Sequence, residues 1–205
     1  MRIAFFVSFL LVGGFAKAQQ QDQVFTKSGF FYFLPYYVSS SDRLTTSSGQ
    51  LAKFEGDGYG LRLGVSPFPN WLPGLSITAD FSVSEGANET DSSEKIKWSQ
   101  VSYGLAQYMN RFLYLSAKYS EKKITVADSL IETELNPTSV AMGIGIDVIR
   151  IGDTFALSLE ADYNKGFSER TKNQNAAYNA GSDGIEYRVG IRWSPGISFT
   201  APSSR

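Results

Sequence analysis

The sequence predicts an all-β protein: an eight-stranded antiparallel up-and-down transmembrane β-barrel behind a cleaved signal peptide. Three observations predict it. The N-terminus carries an export signal, hydropathy alternates with a period of two along most of the remaining chain, and the connections alternate between long and short. Composition is consistent with one folded domain of 205 residues, with 14% aromatic and only 19% charged side chains. The formal charge of −1 leaves no electrostatic footprint for nucleic acid. The chain has no Cys and no His. Disulfides, thiolate metal sites, Cys nucleophiles, Ser-His-Asp triads and HExxH zinc chemistry are therefore all excluded.

Met1-Arg2 leads an apolar run from Ile3 to Phe15, followed by Ala16-Lys17-Ala18 and the polar Gln19–Asp22. A basic start, a short apolar stretch and an Ala-x-Ala site spell a secretory signal peptide over 1–18. The run is too short for a membrane helix, which needs about 20 apolar residues. Loss of Arg2 and Lys17 takes the basic count from 19 to 17 against 20 acidic residues, for a mature charge of −3. Residues 19–28 read as a periplasmic lead, 29–195 as the barrel and 196–205 as a C-terminal tail.

The strands come in chain order. Gly29–Ser39 is aromatic on both faces and contains Pro35, which cannot donate to a ladder, yet it reads as the first strand. Tyr59, Leu61, Leu63 and Val65 alternate with Gly60, Arg62 and Gly64 in the second. Leu75, Ile77, Ala79, Phe81 and Val83 alternate with Ser76, Thr78, Asp80 and Ser82 in the third. Val101, Tyr103 and Leu105 mark the fourth, with Gln107 breaking the apolar side, and Leu113, Leu115, Ala117 and Tyr119 mark the fifth. Val140–Val148, Phe155–Tyr163 and Ile185–Trp193 alternate cleanly as the sixth, seventh and eighth. Successive side chains on a strand face opposite ways, so each segment has one apolar face and one small or charged face.

Between them, Ser39–Lys53, Glu85–Lys95, Glu121–Pro137 and Lys165–Asp183 read as long polar loops. Pro67–Gly74, Asn110-Arg111 and Arg150–Thr154 read as tight turns. Long loops thus gather at one end and tight turns, with both termini, at the other. Bacterial outer-membrane barrels sort their connections this way.

On these strands and on Arg188-x-Gly190-x-x-Trp193 near the C-terminus, the chain resembles the small eight-stranded bacterial outer-membrane β-barrel superfamily, the outer membrane protein beta-barrel domain. The resemblance spans Gly29–Trp193. It implies that Arg188, Gly190 and Trp193 form the signal read by the barrel-assembly machinery. The pattern usually ends on a terminal aromatic residue, whereas here Pro195–Arg205 follows, so Trp193 or Phe199 must serve.

In lipid the aliphatic face must point outward. Arg62, Asp80, Lys118, Asp147, Glu160, Asp162, Glu186, Arg188 and Arg192 then all face the lumen. A one-residue slip would turn these charges into hydrocarbon, where a midplane Arg or Lys costs about 2–4 kcal/mol. They are expected to pair as a buried ion network, favouring Glu160 or Asp162 with Arg188 or Arg192, with glycines leaving room for the long cations. Phe68, Trp71, Tyr108, Phe112, Phe155 and Trp193 are expected in an aromatic belt at the short-turn end, with Tyr59, Tyr119, Tyr163 and Tyr187 at the other.

Glu55-Gly-Asp57 and Glu89-x-Asp91-x-x-Glu94 offer hard oxygen ligands, but without EF-hand spacing they read as solvated loops, and Asn88-Glu-Thr90 as an incidental sequon. Lys122-Lys123 and Lys165, Arg170 and Lys172 could touch lipopolysaccharide phosphates. No catalytic, cofactor or metal site is expected, nor enzymatic activity. The leading expectation is a structural or surface-interaction barrel (adhesion or envelope integrity), with outer-membrane lipid, lipopolysaccharide and an extracellular ligand of the loops as partners. A narrow channel for small solutes is the alternative, and a soluble lipocalin-like carrier with aliphatics lining its cavity is the third.

Overall fold

The computed structural model describes residues 31–46, 51–66, 74–109, 112–127, 132–152, 154–168 and 178–195. The signal peptide, the lead, Phe68, Trp71, Arg170, Lys172 and the tail with Phe199 lie outside the described residues. The strands are β1 (Phe31–Thr46), β2 (Leu51–Val65), β3 (Leu75–Asn88), β4 (Lys95–Tyr108), β5 (Leu113–Ala127), β6 (Glu132–Leu135), β7 (Thr138–Ile151), β8 (Phe155–Ser168) and β9 (Tyr178–Trp193). Neighbouring staves of the meander pair antiparallel, and β1 pairs with β9, which closes the sheet. Closure leaves no sheet edge in the band the barrel presents to lipid, where an unpaired backbone group costs several kcal/mol.

Eight strands make the barrel wall, and β6 is not a ninth stave. It pairs with β5 from Ile124↔Leu135 to Ala127↔Glu132, and β7 pairs with β5 from Glu121↔Thr138 downward in the same register. β6 and β7 are one sixth stave, interrupted at Asn136-Pro137. The cause is Pro137, which has no N–H for the ladder; its carbonyl still accepts from the Lys122 N–H at 3.0 Å.

The stagger of the barrel can be traced through the pairings. A row of cross-strand partners starting at Gly58 reaches β5 at Ile124 through Ser84 and Trp98. In the other direction it passes Val38, Arg188, Glu160 and Gly145 and meets β5 at Tyr114, ten residues lower. Ten residues of stagger over eight strands tilts the strands by roughly 40°, within the usual range for closed barrels.

The structure corrects the loop boundaries. Most of Ser39–Lys53, Glu121–Pro137 and the flanks of Glu85–Lys95 and Lys165–Asp183 are strand, so these staves run 14–16 residues and overshoot a membrane. Hydropathy hid this because the outward residues there are polar, as in Lys53, Glu55 and Asp57 of β2 or Lys95 and Lys97 of β4. At the other end β7 runs on to Ile151 after a bulge at Val148, which puts both Val148 and Ile149 on the outer face. Gly152 then turns the chain at φ 61°, a left-handed conformation that strains any residue with a Cβ.

Candidate functional site

The outer face sets the frame. Leu61, Leu63, Val65, Ile77, Phe81, Val101, Leu105, Met142, Ile144, Val189 and Ile191 are all exposed, 36–57% of each surface. A monomeric soluble protein does not expose a continuous apolar band of this kind. On β9 the band runs from Ile185 to Trp193, the span a tilted strand needs to cross hydrocarbon. These are transmembrane strands. Exposed tyrosines rim the upper side of the band: Tyr37, Tyr59, Tyr103, Tyr119, Tyr163 and Tyr187. Phe112, Phe155 and Trp193 rim the lower side, where Trp193 stacks on Phe33 with ring centroids 5.6 Å apart. Tyr108 departs from the expected belt. It follows Gln107 on β4 and so points inward, where it is buried.

The aliphatics are therefore outside and the charges inside, which overturns the lipocalin-like alternative. All nine expected lumen charges are buried, and they form two clusters. In the central one, Arg62 Nε donates to Asp80 at 2.7 Å while its two terminal nitrogens grip both oxygens of Glu160 at 2.6 and 2.8 Å. Tyr114 adds a hydroxyl donor to Glu160 at 2.6 Å. Lys118 contacts Glu160 and lies 2.7 Å from Asp162. Arg188 reaches Asp162 at 3.2 Å, Asp80 at 3.5 Å and Glu160 at 3.6 Å, and bonds Glu186 at 2.6 Å. Below this cluster, Arg192 pairs with Asp147 at 2.6 Å, Asp147 also accepts from Ser158 at 2.6 Å, and Arg192 contacts the Tyr108 hydroxyl. Arg188 is thus the β9 partner of the β8 carboxylates, and Arg192 belongs to the lower cluster instead.

Two lumen charges escaped the sequence. Lys122, expected at the surface beside Lys123, is buried and bonds Asp42 at 3.0 Å and Glu186 at 3.0 Å. Lys122 and Asp42 both fell in segments read as loops, but Lys122 lies an even number of residues from Lys118, so extending the strand would have placed it inside. Buried tyrosines complete the packing: Tyr36 lies under Arg188 at 5.0 Å, and Tyr32 and Tyr108 flank Arg192 at 5.8 and 5.0 Å. These rings, rather than the long cations, take much of the space that glycine leaves: a Cβ on Gly60, Gly64 or Gly145 would run into Tyr36, Tyr32 or Tyr114.

Above the charges the lumen changes character. Leu44, Phe54, Ile96, Trp98, Ile124, Val126 and Leu135 form one buried apolar cluster, each 0–4% exposed. The acidic loop candidates are consumed locally. Lys53 lies 2.7 Å from Glu55 and 3.2 Å from Glu89, and Glu94 accepts from Asn88 at 2.6 Å. Asp91 accepts from the Ser93 N–H and hydroxyl at 2.9 and 2.6 Å, which holds its carboxyl below the usual range. The Asn88 side chain accepts from Thr90, so the sequon is an internal turn. Among the described residues no acidic grouping could hold a metal ion.

Neither a family model nor a curated protein sequence matches the chain. Solved structures do. Neisserial surface protein A is similar at a TM-score of 0.53 and 16% identity, covering 80% of this chain and 96% of that one. The likeness is one of fold. It shows that the chain shares the fold of that small β-barrel, in agreement with the closed eight-stave wall. Ail, the attachment invasion locus protein of Yersinia pestis, gives a TM-score of 0.49 at 15% identity (81% and 98% covered), and the outer membrane protein AlkL gives 0.49 at 10% (85% and 94% covered).

Proposed function

We propose that the chain is an integral bacterial outer-membrane protein with a structural or surface-interaction role, adhesion or envelope integrity, and that its barrel is a rigid, closed support rather than a channel or an enzyme. The observation that carries this is the filled lumen. An ion network of five cations and six carboxylates, all buried, is followed by an apolar plug across the upper staves. Eight strands leave an interior just wide enough for side chains to fill; aqueous channels come with about 16–18. Fixed ion pairs would have to break, and the plug would have to unpack, for a solute to pass.

The outer-membrane placement draws on the signal peptide, the lipid-facing band and the start of β1 and end of β9, which both fall at the short-turn end, so that the termini would face the periplasm. Assembly by the barrel machinery would use Arg188, Gly190 and Trp193. Trp193 ends β9 on the outer face, while Arg188 is committed to the lumen. Lipid, lipopolysaccharide and an extracellular ligand held by the upper rim are the proposed partners.

Two measurements test this. Protein folded into lipid vesicles should migrate faster on SDS gels unheated than boiled, and recovery as a soluble periplasmic monomer would overturn the placement. In planar bilayers the folded barrel should give no steady conductance. A conductance that changes on Arg62→Ala would instead establish the narrow-channel alternative.

A further inference from the structure

The last rung of the β8–β9 ladder is Asn164↔Gly184, and Gly184 also pairs with Asp42 on β1. One row of partners therefore runs Asp42, Gly184, Asn164 across three strands, with the glycine leaving a niche between two polar side chains. The Asp42 carboxylate lies over that niche, where a Cβ on Gly184 would strike its Oδ1. Glu186, the next inward residue below Gly184, borders it from beneath. Leu44, the next inward residue above Asp42, belongs to the apolar plug and borders it from above. Asp42, Asn164 and Glu186 are 1%, 0% and 2% exposed.

The chain leaves two demands of this niche unmet. The first is charge. Lys122 lies 3.0 and 3.1 Å from the two Asp42 oxygens and 3.0 Å from Glu186, so one ammonium serves two carboxylates. Glu186 shares its other cation, Arg188, with Asp80, Glu160 and Asp162. Among the described residues of the central network, Arg62, Lys118, Lys122 and Arg188 face Asp42, Asp80, Glu160, Asp162 and Glu186, four positive charges against five negative. Arg192 is taken by Asp147 in the lower cluster, and the half-buried Arg150 stands at the far end of β7. A buried charge without compensation is strongly unfavourable. The second demand is a hydrogen bond. Neither Oδ1 nor Nδ2 of Asn164 has a partner among the described residues. A fully buried amide in that state costs stability unless something bonds it.

We propose that the Gly184 niche binds one monovalent metal cation, held by Asn164 Oδ1 and the carboxylates of Asp42 and Glu186. A water carried in with the ion serves the Asn164 N–H group. Carboxylate and amide oxygens are the ligands that hard cations take. The surplus is a single charge, which selects a monovalent ion. The niche has two acids only, and among the described residues no group of three or more could hold a metal. The ion joins β1, β8 and β9 at the level where the β8–β9 ladder ends. The plug above and the ion pairs below hold it in place, so it acts as a staple and does not permeate.

The test is urea titration of the refolded, detergent-solubilised full chain in sodium chloride and in choline chloride. Equal ionic strength keeps the screening of surface charges the same, and choline is too bulky for the niche. The wild-type folding equilibrium should be at least about tenfold more favourable in sodium, the gain an ion binding only the folded state supplies at about ten times its Kd. Asn164→Leu should abolish that gain. In choline the same variant should be at least as stable as wild type, because it removes an amide that nothing then bonds. Asn164→Asp keeps an oxygen in place and should keep or enlarge the gain, and Lys53→Ala on the outer wall should leave it unchanged. Equal wild-type stability in the two salts would overturn the site, as would a sodium gain in Asn164→Leu as large as in wild type. Should Asn164→Leu fail to refold, loss of the gain in Asn164→Asp would overturn it instead.

Discussion

The barrel is two structures stacked on one set of staves. In the membrane band the outside is aliphatic and the inside charged; in the collar above it the outside is charged and the inside aliphatic. The inversion happens within single strands. On β2, Leu61, Leu63 and Val65 face out with Arg62 inside, while eight residues earlier Phe54 is inside and Lys53 and Glu55 are out. On β5, Leu115 and Tyr119 face out around Lys118, while higher up Ile124 and Val126 are inside and Lys123 is out. On these two strands the pleat and the register do not change across the boundary. Only the medium outside does, and the side chains match it: the collar is built as a soluble barrel is, with its apolar face hidden from water.

The two regions should therefore fail differently. The largest effect is expected in the band interior. Arg62→Ala leaves Glu160 and Asp80 buried without their shared guanidinium partner, at a cost of about 3–5 kcal/mol. Arg188→Ala should come close behind. Urea titration in lipid vesicles reads both, and a loss below about 1 kcal/mol would mean that water solvates the network. In the collar the comparable damage comes from an apolar residue. Phe54→Ala opens a cavity in a fully buried cluster and should cost about 3–5 kcal/mol. Replacing outward Lys53 on the same strand should leave stability within about 1 kcal/mol, since its pairs with Glu55 and Glu89 are exposed.

A further substitution probes the medium directly. Ile144→Arg puts a cation on the outer face of the band and should destabilise by about 2–4 kcal/mol in vesicles. Thr125→Arg, on the outer face of the collar, should be nearly neutral. If the two proved equal, the boundary between the zones would be misplaced.

The same inversion decides what the sequence could reveal. Alternation stood out wherever one face met lipid, so Ile185–Trp193 and Phe155–Tyr163 were legible as strands and their charges as lumen residues. In the collar both faces carry polar residues over part of each stave, as in Ser39, Ser40, Ser41 and Asp42 of β1, and strand looks like loop. That is why Asp42 and Lys122 were missed, and with them the upper end of the ion network. The apolar plug was equally hidden, because its seven residues come from five strands, with at most two from any one of them, and form a cluster only once the barrel closes. Tyr108 was misplaced for a third reason. An aromatic near a turn fits a membrane belt by composition, and only counting the pleat through Gln107 sends it inward.

The smallest expected effect tests where the collar's surface ends and its structure begins. Lys165 and Asp183 form an ion pair at 2.5 Å on the outer wall between β8 and β9. By distance alone the pair looks strong, but Lys165 is mostly solvent-exposed, and a lone exposed pair contributes at most about 1 kcal/mol. Asp183 has a second task. Its other oxygen accepts from the Gly166 N–H at 3.1 Å, beyond Asn164↔Gly184, where the ladder between β8 and β9 stops. The carboxylate stands in for a missing strand partner there. Lys165→Ala should therefore change stability by less than about 0.5 kcal/mol, whereas Asp183→Ala should cost about 1–2 kcal/mol by freeing that amide. Amide hydrogen exchange separates the two substitutions at one site: Gly166 should stay protected in Lys165→Ala and lose protection in Asp183→Ala. Equal protection in both would show that the β8–β9 seam is held by the backbone alone.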